Sequence, residues 1–527
     1  MHLILNARIY TLDSHLPQAS ALAIDHGRIL QIGQAADIRG QFAMSGNTVE
    51  DMDGAVILPG LVDSHLHLEQ YALSLQKVDC ETGTRFECLQ RVAERARQTP
   101  PGAWILGHGW NQTRWEEGFG DPRDLDAVAP HNPVYLSAKS LHAGWANALA
   151  LRQAGISINS QDPQGGRFGR DATGRPDGLL FEAAMNQMLS AIPAPSAEEL
   201  VNSIRVAQTN LWRMGLTGVH DFDRRDCFIA LQKLRLVDEL RLRVVKSIPL
   251  EDLSHAVALG LRTGFGDEFL RIGNVKAFSD GALGPRTAAM LQPYEGEPEN
   301  RGMLMLDAEE VFERGRLAAE NGLAMAVHAI GDRANHEVLN AFAQLQSLPG
   351  IDRGRLRHRI EHVQLIHPDD AGRLAQLGVI ASMQPIHATS DMLMADRFWG
   401  KRAELSYAWR TQLQHGAVLA FGSDAPVESP NPFWGIHAAV TRQRADGSPD
   451  GGGWYPEQRL AVTEALQAYT IGAAYAANRE HEQGRLSPGF LADLLVVNSD
   501  PFNCPPEELR TIRPLATMVG GEWVWRS

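Results

Sequence analysis

Eight short apolar runs, each followed by a stretch of helical character, constrain this chain more than any other feature. They lie near residues 57–62, 216–220, 242–246, 273–278, 324–328, 358–363, 379–383 and 418–422. Runs of this length and apolarity suit strands buried on both faces, and their alternation with helices argues for parallel βα units. Eight such units close a (β/α)8 TIM barrel, here an α/β fold over residues 58–482. The ends of the chain differ from this pattern. "ALAIDHGRILQIG" is a hairpin about Asp25-His26-Gly27, and "LADLLVVNSD" and "ATMVGGEWVW" repeat the β-rich character, the second with a Gly-Gly turn. Residues 1–57 and 483–527 are therefore expected to form one small β-sandwich. The stretch 68–205 is too long for a single βα connection and reads as a subdomain inserted over the barrel mouth. Its glycine-rich piece "DPQGGRFGRDATGRPDG" is expected to be a mobile loop, not a phosphate cradle, since no strand and helix bracket it.

Charge and composition exclude several classes. A net charge of -14 over 527 residues argues against nucleic acid or an anionic membrane as partner. Cys80, Cys88, Cys227 and Cys504 form neither a CxxC motif nor a secreted disulfide framework, which suits a reducing compartment. "MHLILNARIYTLD" lacks the basic and apolar regions of a signal peptide, and no run approaches the ~18 apolar residues of a membrane span. A soluble, cytoplasmic protein is the expectation; a homodimer is one assembly open to it. Lysine is scarce: only residues 77, 139, 233, 246, 276 and 401 carry it. A lysine inside an apolar strand therefore needs a reason.

Active sites of such barrels sit at the C-terminal ends of the strands. The first run ends in "LPGLVDSHLHLE", where His65 and His67 stand two apart and so share one face of a strand. Taken alone the pair is weak, since roughly 0.7 His-x-His pairs arise by chance in such a composition. The other ends add to it: Lys276 on the fourth run, His328 on the fifth, His362 on the sixth and Asp424 on the eighth. An isolated polar residue at a strand end is more often a satisfied structural group than a ligand. Several strands delivering ligand types at one end form a far more specific signal.

These segments carry a resemblance. "LPGLVDSHLHLE", "VKAFSDGALGPRTA", "VHAIGDRA", "RIEHVQLI", "FGSDAPV", "AYTIGAAYA" and "GRLSPGFLADLLVV" resemble the amidohydrolase superfamily in its YtcJ-like, or amidohydrolase-3, branch, which includes N-substituted formamide deformylase. "GHGWNQTRW", "LHAGWANALAL" and "DGLLFE" extend the likeness through the insertion. The resemblance implies a metal centre held by His65, His67, Lys276, His328, His362 and Asp424, with Asp424 and Lys276 also serving catalysis. It implies one or two divalent ions, zinc foremost, and a carbamate on Lys276 formed from CO2. Trp110 and His142 are the expected substrate contacts, although Trp110, Trp115 and Trp145 also suit a core of the insertion. The segment "SAKSL", with Lys139, departs from the family pattern.

The chemistry agrees with this set. Two close cations need a bridging anion, and a lysine made neutral by burial can add CO2 to become one. Imidazole and carboxylate suit zinc, and an open position acidifies water; Asp424 would orient that water and carry its proton to a leaving nitrogen. Asp332 and Glu361 are expected to fix the histidine tautomers. Lys246 competes with Lys276 for the bridging role, and His220 ends the second run beside the pocket. "HRIEH" at 358–362 mimics an H-x-x-E-H protease motif, but that motif requires a helix and this stretch reads as strand. The expected function is hydrolysis of a carbon–nitrogen bond in a small non-peptide amide. Cyclic amides, N-acyl amino acids, esters, or an inactive binding barrel are the alternatives.

Overall fold

The computed structural model describes every residue except 45, 113, 114, 141 and 353. Thr113 and Arg114 of "GHGWNQTRW" and Leu141 of "SAKSL" thus lie outside the described residues. The chain forms two compact units: Met1–Tyr71 with Ile204–Ser527, and Ala72–Ser203. Among the described residues no helix is long and apolar enough to cross a membrane.

The larger unit holds the barrel. Its strands are β1 (Leu61–Leu66), β2 (Leu216–Asp221), β3 (Arg243–Pro249), β4 (Leu270–Phe278), β5 (Met325–Ala329), β6 (Arg359–His362), β7 (Ile380–Met383) and β8 (Leu419–Phe421). They pair in sequence order, all parallel. Closure between β8 and β1 lies just beyond their ends: Asp424 N donates to His65 O at 2.6 Å and His67 N to Ala425 O at 2.8 Å. Asp63 reinforces it, accepting from the backbone of His65 and Ser423 at 3.0 and 3.1 Å and from Ser423 Oγ at 2.5 Å. This accounts for the aspartate ahead of the His-x-His pair. Gly422 permits the approach, because a Cβ there would stand 2.5 Å from His65 N.

The first apolar run splits in two. Val56–Pro59 joins a six-stranded sheet of the β-sandwich, and the barrel strand begins only at Leu61. The sandwich boundary thus falls at Gly60, not at 57. Gly60 is the crossing point, where a Cβ would meet Thr217 Oγ1 at 2.4 Å. In the sandwich sheet Val56–Pro59 pairs antiparallel with Leu494–Val497 and parallel with Arg8–Tyr10, so both chain ends share one layer. A second, four-stranded sheet of N-terminal strands covers it, and Ile4, Ile9, Leu22, Ile57, Leu494 and Met518 form the core between them. The hairpin read at Asp25-His26-Gly27 is present, with positive φ at His26 and Gly27, as a two-residue turn of right-handed twist requires.

The smaller unit is a six-stranded mixed sheet with helices including Arg85–Gln98 and Pro122–Val128. Its glycine-rich segment is not a loop: Gly166–Arg170 and Pro176–Glu182 pair as an antiparallel hairpin. Asp171 caps the turn, accepting from Thr173 N and Arg175 N at 2.7 and 3.0 Å, and Phe168 is buried. The short side chains hid the strand pattern.

Candidate metal centre

The residues singled out at the ends of β1, β4, β5, β6 and β8 line one cavity of about 410 Å³. Each histidine there has one ring nitrogen held by an acceptor of the scaffold. His65 Nδ1 meets Glu361 Oε2 at 2.6 Å, and His67 Nδ1 meets Asp223 Oδ1 at 3.2 Å. His362 Nδ1 meets Gln384 Oε1 at 2.8 Å, and His328 Nε2 meets the Gly281 carbonyl at 2.9 Å. A carboxylate or carbonyl only accepts, so each imidazole donates there and keeps a lone pair on its other nitrogen. For His65 and His67 that nitrogen is Nε2, and the two lie 3.5 and 3.4 Å from Asp424 Oδ1. The rings of His65 and His328 stand 5.0 and 4.6 Å from that of His362.

This donor set fits a divalent cation. His65, His67 and Asp424 each offer a ligand atom within 4.8 Å of the others, and so do His362, His387 and Asp424. The field agrees. Burial opposes charge on His67, but the Asp223 and Asp424 carboxylates outweigh it and lift the ring to about 9; positive charge is thus favoured at Nε2, where a cation would take the place of a proton and use the lone pair. Burial and the Lys276 charge instead hold His65 down to about 4 and His328 to about 3. Asp424 is held well below the usual carboxylate range because its histidine neighbours outweigh burial. His362, Val363 and Asp424 adopt positive φ of 79°, 44° and 59°, a strain of about 1–3 kcal/mol each that such sites commonly store.

The two lysines separate. Lys276 is buried between the Phe222 and Phe278 rings, 4.8 Å from each centroid, and burial lowers it to about 8. Lys246 makes an ion pair with Asp221 Oδ2 at 3.0 Å and donates to Ser247 O at 3.0 Å; despite burial, Asp221 keeps its pKa raised. Lys246 therefore stays an ammonium and cannot add CO2.

Other expectations divide. Glu361 meets His65 Nδ1 and is ion-paired with Arg359, a placement compatible with fixing a tautomer. Among the described residues Asp332 bonds to no histidine: its carboxylate accepts from the backbone of Leu291 and Arg333 at 2.8 and 2.9 Å. The carboxylate near His328 is Asp280, 3.4 Å from Nε2, which arrives from the end of β4. Trp110 is not free to meet a substrate. It is 1% exposed in the core of the smaller unit, donates from Nε1 to Leu136 O at 2.8 Å and stacks with Trp115. His142, also in that unit, is exposed and paired with Glu182 at 3.0 Å. His220 accepts from Arg359 at 2.8 Å, and His358 Nδ1 from Met325 N at 3.1 Å; both are structural, and β6 is a strand, not a protease helix.

Sequence reading missed His387, on the helix Pro385–Trp399 after β7, whose Nε2 lies 4.0 Å from Asp424 Oδ2. "MQPIHA" could have disclosed it, since it follows the one strand end left without a candidate. Asp223 was also missed, within "HDFD" at the end of β2.

Comparison with known proteins is consistent with this centre. The chain is 34% identical to Protein LONG AFTER FAR-RED 3 of Arabidopsis thaliana, over 99% of this chain and 91% of that one. It is 32% identical to a putative amidohydrolase, YtcJ, of Bacillus subtilis, over 98% of each chain. With N-substituted formamide deformylase of Arthrobacter pascens it shares 30% identity over 98% of this chain and 97% of that one. Among solved structures, an uncharacterized metal-dependent hydrolase from Pyrococcus furiosus superposes with a TM-score of 0.79 at 28% identity, covering 95% of this chain and all of the other. The Amidohydrolase family model matches residues 48–525, and the chain belongs to that family.

Proposed function

We propose that this protein hydrolyses the carbon–nitrogen bond of a small non-peptide amide, with N-substituted formamides as the foremost class. The observation that carries the reading is the set of four histidines, each with one nitrogen tied back and the other left with a lone pair, around Asp424. His65, His67, His328, His362 and Asp424 would hold one or two divalent ions, zinc foremost, and Lys276, once carboxylated by CO2, would add an anionic ligand where two are bound. When bound, such ions supply Lewis-acid polarisation of a carbonyl and acidification of water. Asp424 accepts the proton of the attacking water and delivers it to the amide nitrogen. The C–N bond breaks, the acyl carbon keeps the new oxygen, and the amine leaves protonated. Glu361 and Gln384 hold His65 and His362 in their tautomers throughout. The formamide preference rests on the likeness to the Arthrobacter relative.

The test is a panel of N-substituted formamides, acetamides, cyclic imides, N-acyl amino acids and esters, with Asp424→Asn as the blank. Formamides should be turned over, and the variant should lose about 10²–10⁴-fold in kcat. Turnover of esters alone, or equality with the variant on every amide, overturns the assignment.

A further inference from the structure

The end of β2 carries a feature that the reaction above does not use. Asp223 is buried and its two oxygens are spoken for separately. Oδ2 accepts the backbone N–H of Glu69 at 2.5 Å and of Gln70 at 3.3 Å. Oδ1 accepts from Gln70 Nε2 at 3.1 Å and faces His67 Nδ1 at 3.2 Å. Beneath it, Lys246 Nζ donates to the Asp223 carbonyl and pairs with Asp221 Oδ2 at 3.0 Å. Asp221 Oδ1 in turn accepts from Leu68 N at 2.8 Å. Asp221, Asp223 and Cys227 form a group with metal-ligand chemistry, but the Lys246 ammonium already supplies its positive charge. The two aspartates thus hold the backbone just after His67, and one of them also holds the ring.

We propose that Asp223 is a positioning residue for the metal centre: it fixes His67 with its proton on Nδ1 and its lone pair on Nε2 toward Asp424, while Lys246 and Asp221 lock Asp223 in place. The inference rests on the reading of His65, His67 and Asp424 as metal ligands. A carboxylate behind a ligand histidine sets its tautomer and basicity, and loss of such a partner typically costs 10–100-fold in metal affinity.

The division of labour between the oxygens gives the proposal a distinctive test. In Asp223→Asn the amide oxygen must stay with the two backbone N–H groups at the Oδ2 position. The amide nitrogen then takes the Oδ1 position, where the Gln70 side chain turns its oxygen to accept from it, and donates to His67 Nδ1, which moves the ring proton to Nε2, the atom that should bind metal. Asp223→Ala removes the support but forces no tautomer. It also leaves the Glu69 and Gln70 N–H groups without their acceptor.

Full-length metal-free protein is titrated with cobalt(II) by absorbance and against a chromophoric chelator, and thermal midpoints are recorded without metal. The Asn variant should bind about 100-fold more weakly and the Ala variant about 10-fold more weakly, whereas the Ala variant should be the less stable of the two. Opposite orders in affinity and stability are the signature of tautomer control. If affinity follows stability, with Ala the weaker binder, or if the Asn variant binds as the wild type does, the proposal is overturned. If the wild type itself takes up no cobalt(II), the metal-centre reading fails instead.

Discussion

Two buried lysines on the adjacent strands β3 and β4 show how surroundings decide the chemistry of one side chain. Lys246 has Asp221 within 3.0 Å and remains charged, whereas Lys276 has aromatic faces and is pushed down to about 8. Only the second offers a neutral amine near pH 7 in useful amount, the form that adds CO2. Lys276→Ala should therefore lose bound metal and turnover together, and short-chain carboxylic acids supplied with metal should restore part of both. Normal metal content and full activity in that variant would remove the bridging role. The choice of Lys276 over Lys246 in the sequence rested on the motif "KAFSDG"; the partner that keeps Lys246 charged, Asp221, comes from another strand and left no local trace. The same holds for Asp332 and Asp280. Proximity to His328 in sequence favoured Asp332, but the side chain turns to the Leu291 backbone, and a residue 48 positions earlier stands beside the ring.

At the scale of elements, strand ends were legible because a period of two puts His65 and His67 on one face and because β-rich runs stop abruptly at the site. Helix positions after the strands were not, which is why His387 went unread. β6 carries structural residues at its start and site residues at its end. Glu361 serves His65, His362 lines the cavity, Arg359 braces both Glu361 and His220, and His358, just before the strand, accepts the Met325 N–H that registers β5. That last contact requires a neutral Nδ1. Burial lowers the His358 pKa from 6.5 to about 4, so between these values the unfolded chain binds more protons than the folded one. Stability from this group is full above pH 6.5 and is lost as the pH falls toward 4. His358→Asn, whose amide oxygen can take the Nδ1 role, should be somewhat less stable at pH 7 and lose less on acidification. Thermal midpoints of the two proteins should thus converge from pH 7 to pH 4.5; parallel curves would show that His358 does not titrate in this range.

On the scale of the whole molecule, the sandwich was readable from matching β-rich ends, but its attachment to the barrel was not. A buried ion pair is one part of that attachment. Arg243, opening β3, donates from Nε and Nη2 to Asp493 at 2.6 and 2.9 Å, and Asp493 also accepts from Gly520 N at 2.8 Å in the C-terminal hairpin. Asp493 immediately precedes the sandwich strand Leu494–Val497. A paired buried charge adds little net stability, because desolvation offsets the attraction, but removing one partner strands the other and typically costs about 3–5 kcal/mol. Asp493→Ala should therefore lower the denaturant midpoint strongly, by leaving the Arg243 guanidinium buried without its carboxylate. Replacing both partners, Arg243→Met with Asp493→Leu, should recover most of that loss, since neither charge is then buried alone. Urea unfolding followed by tryptophan fluorescence and by far-UV circular dichroism checks both statements. A double variant as unstable as Asp493→Ala would mean that the loss comes from the Gly520 contact within the sandwich, not from the stranded Arg243 charge.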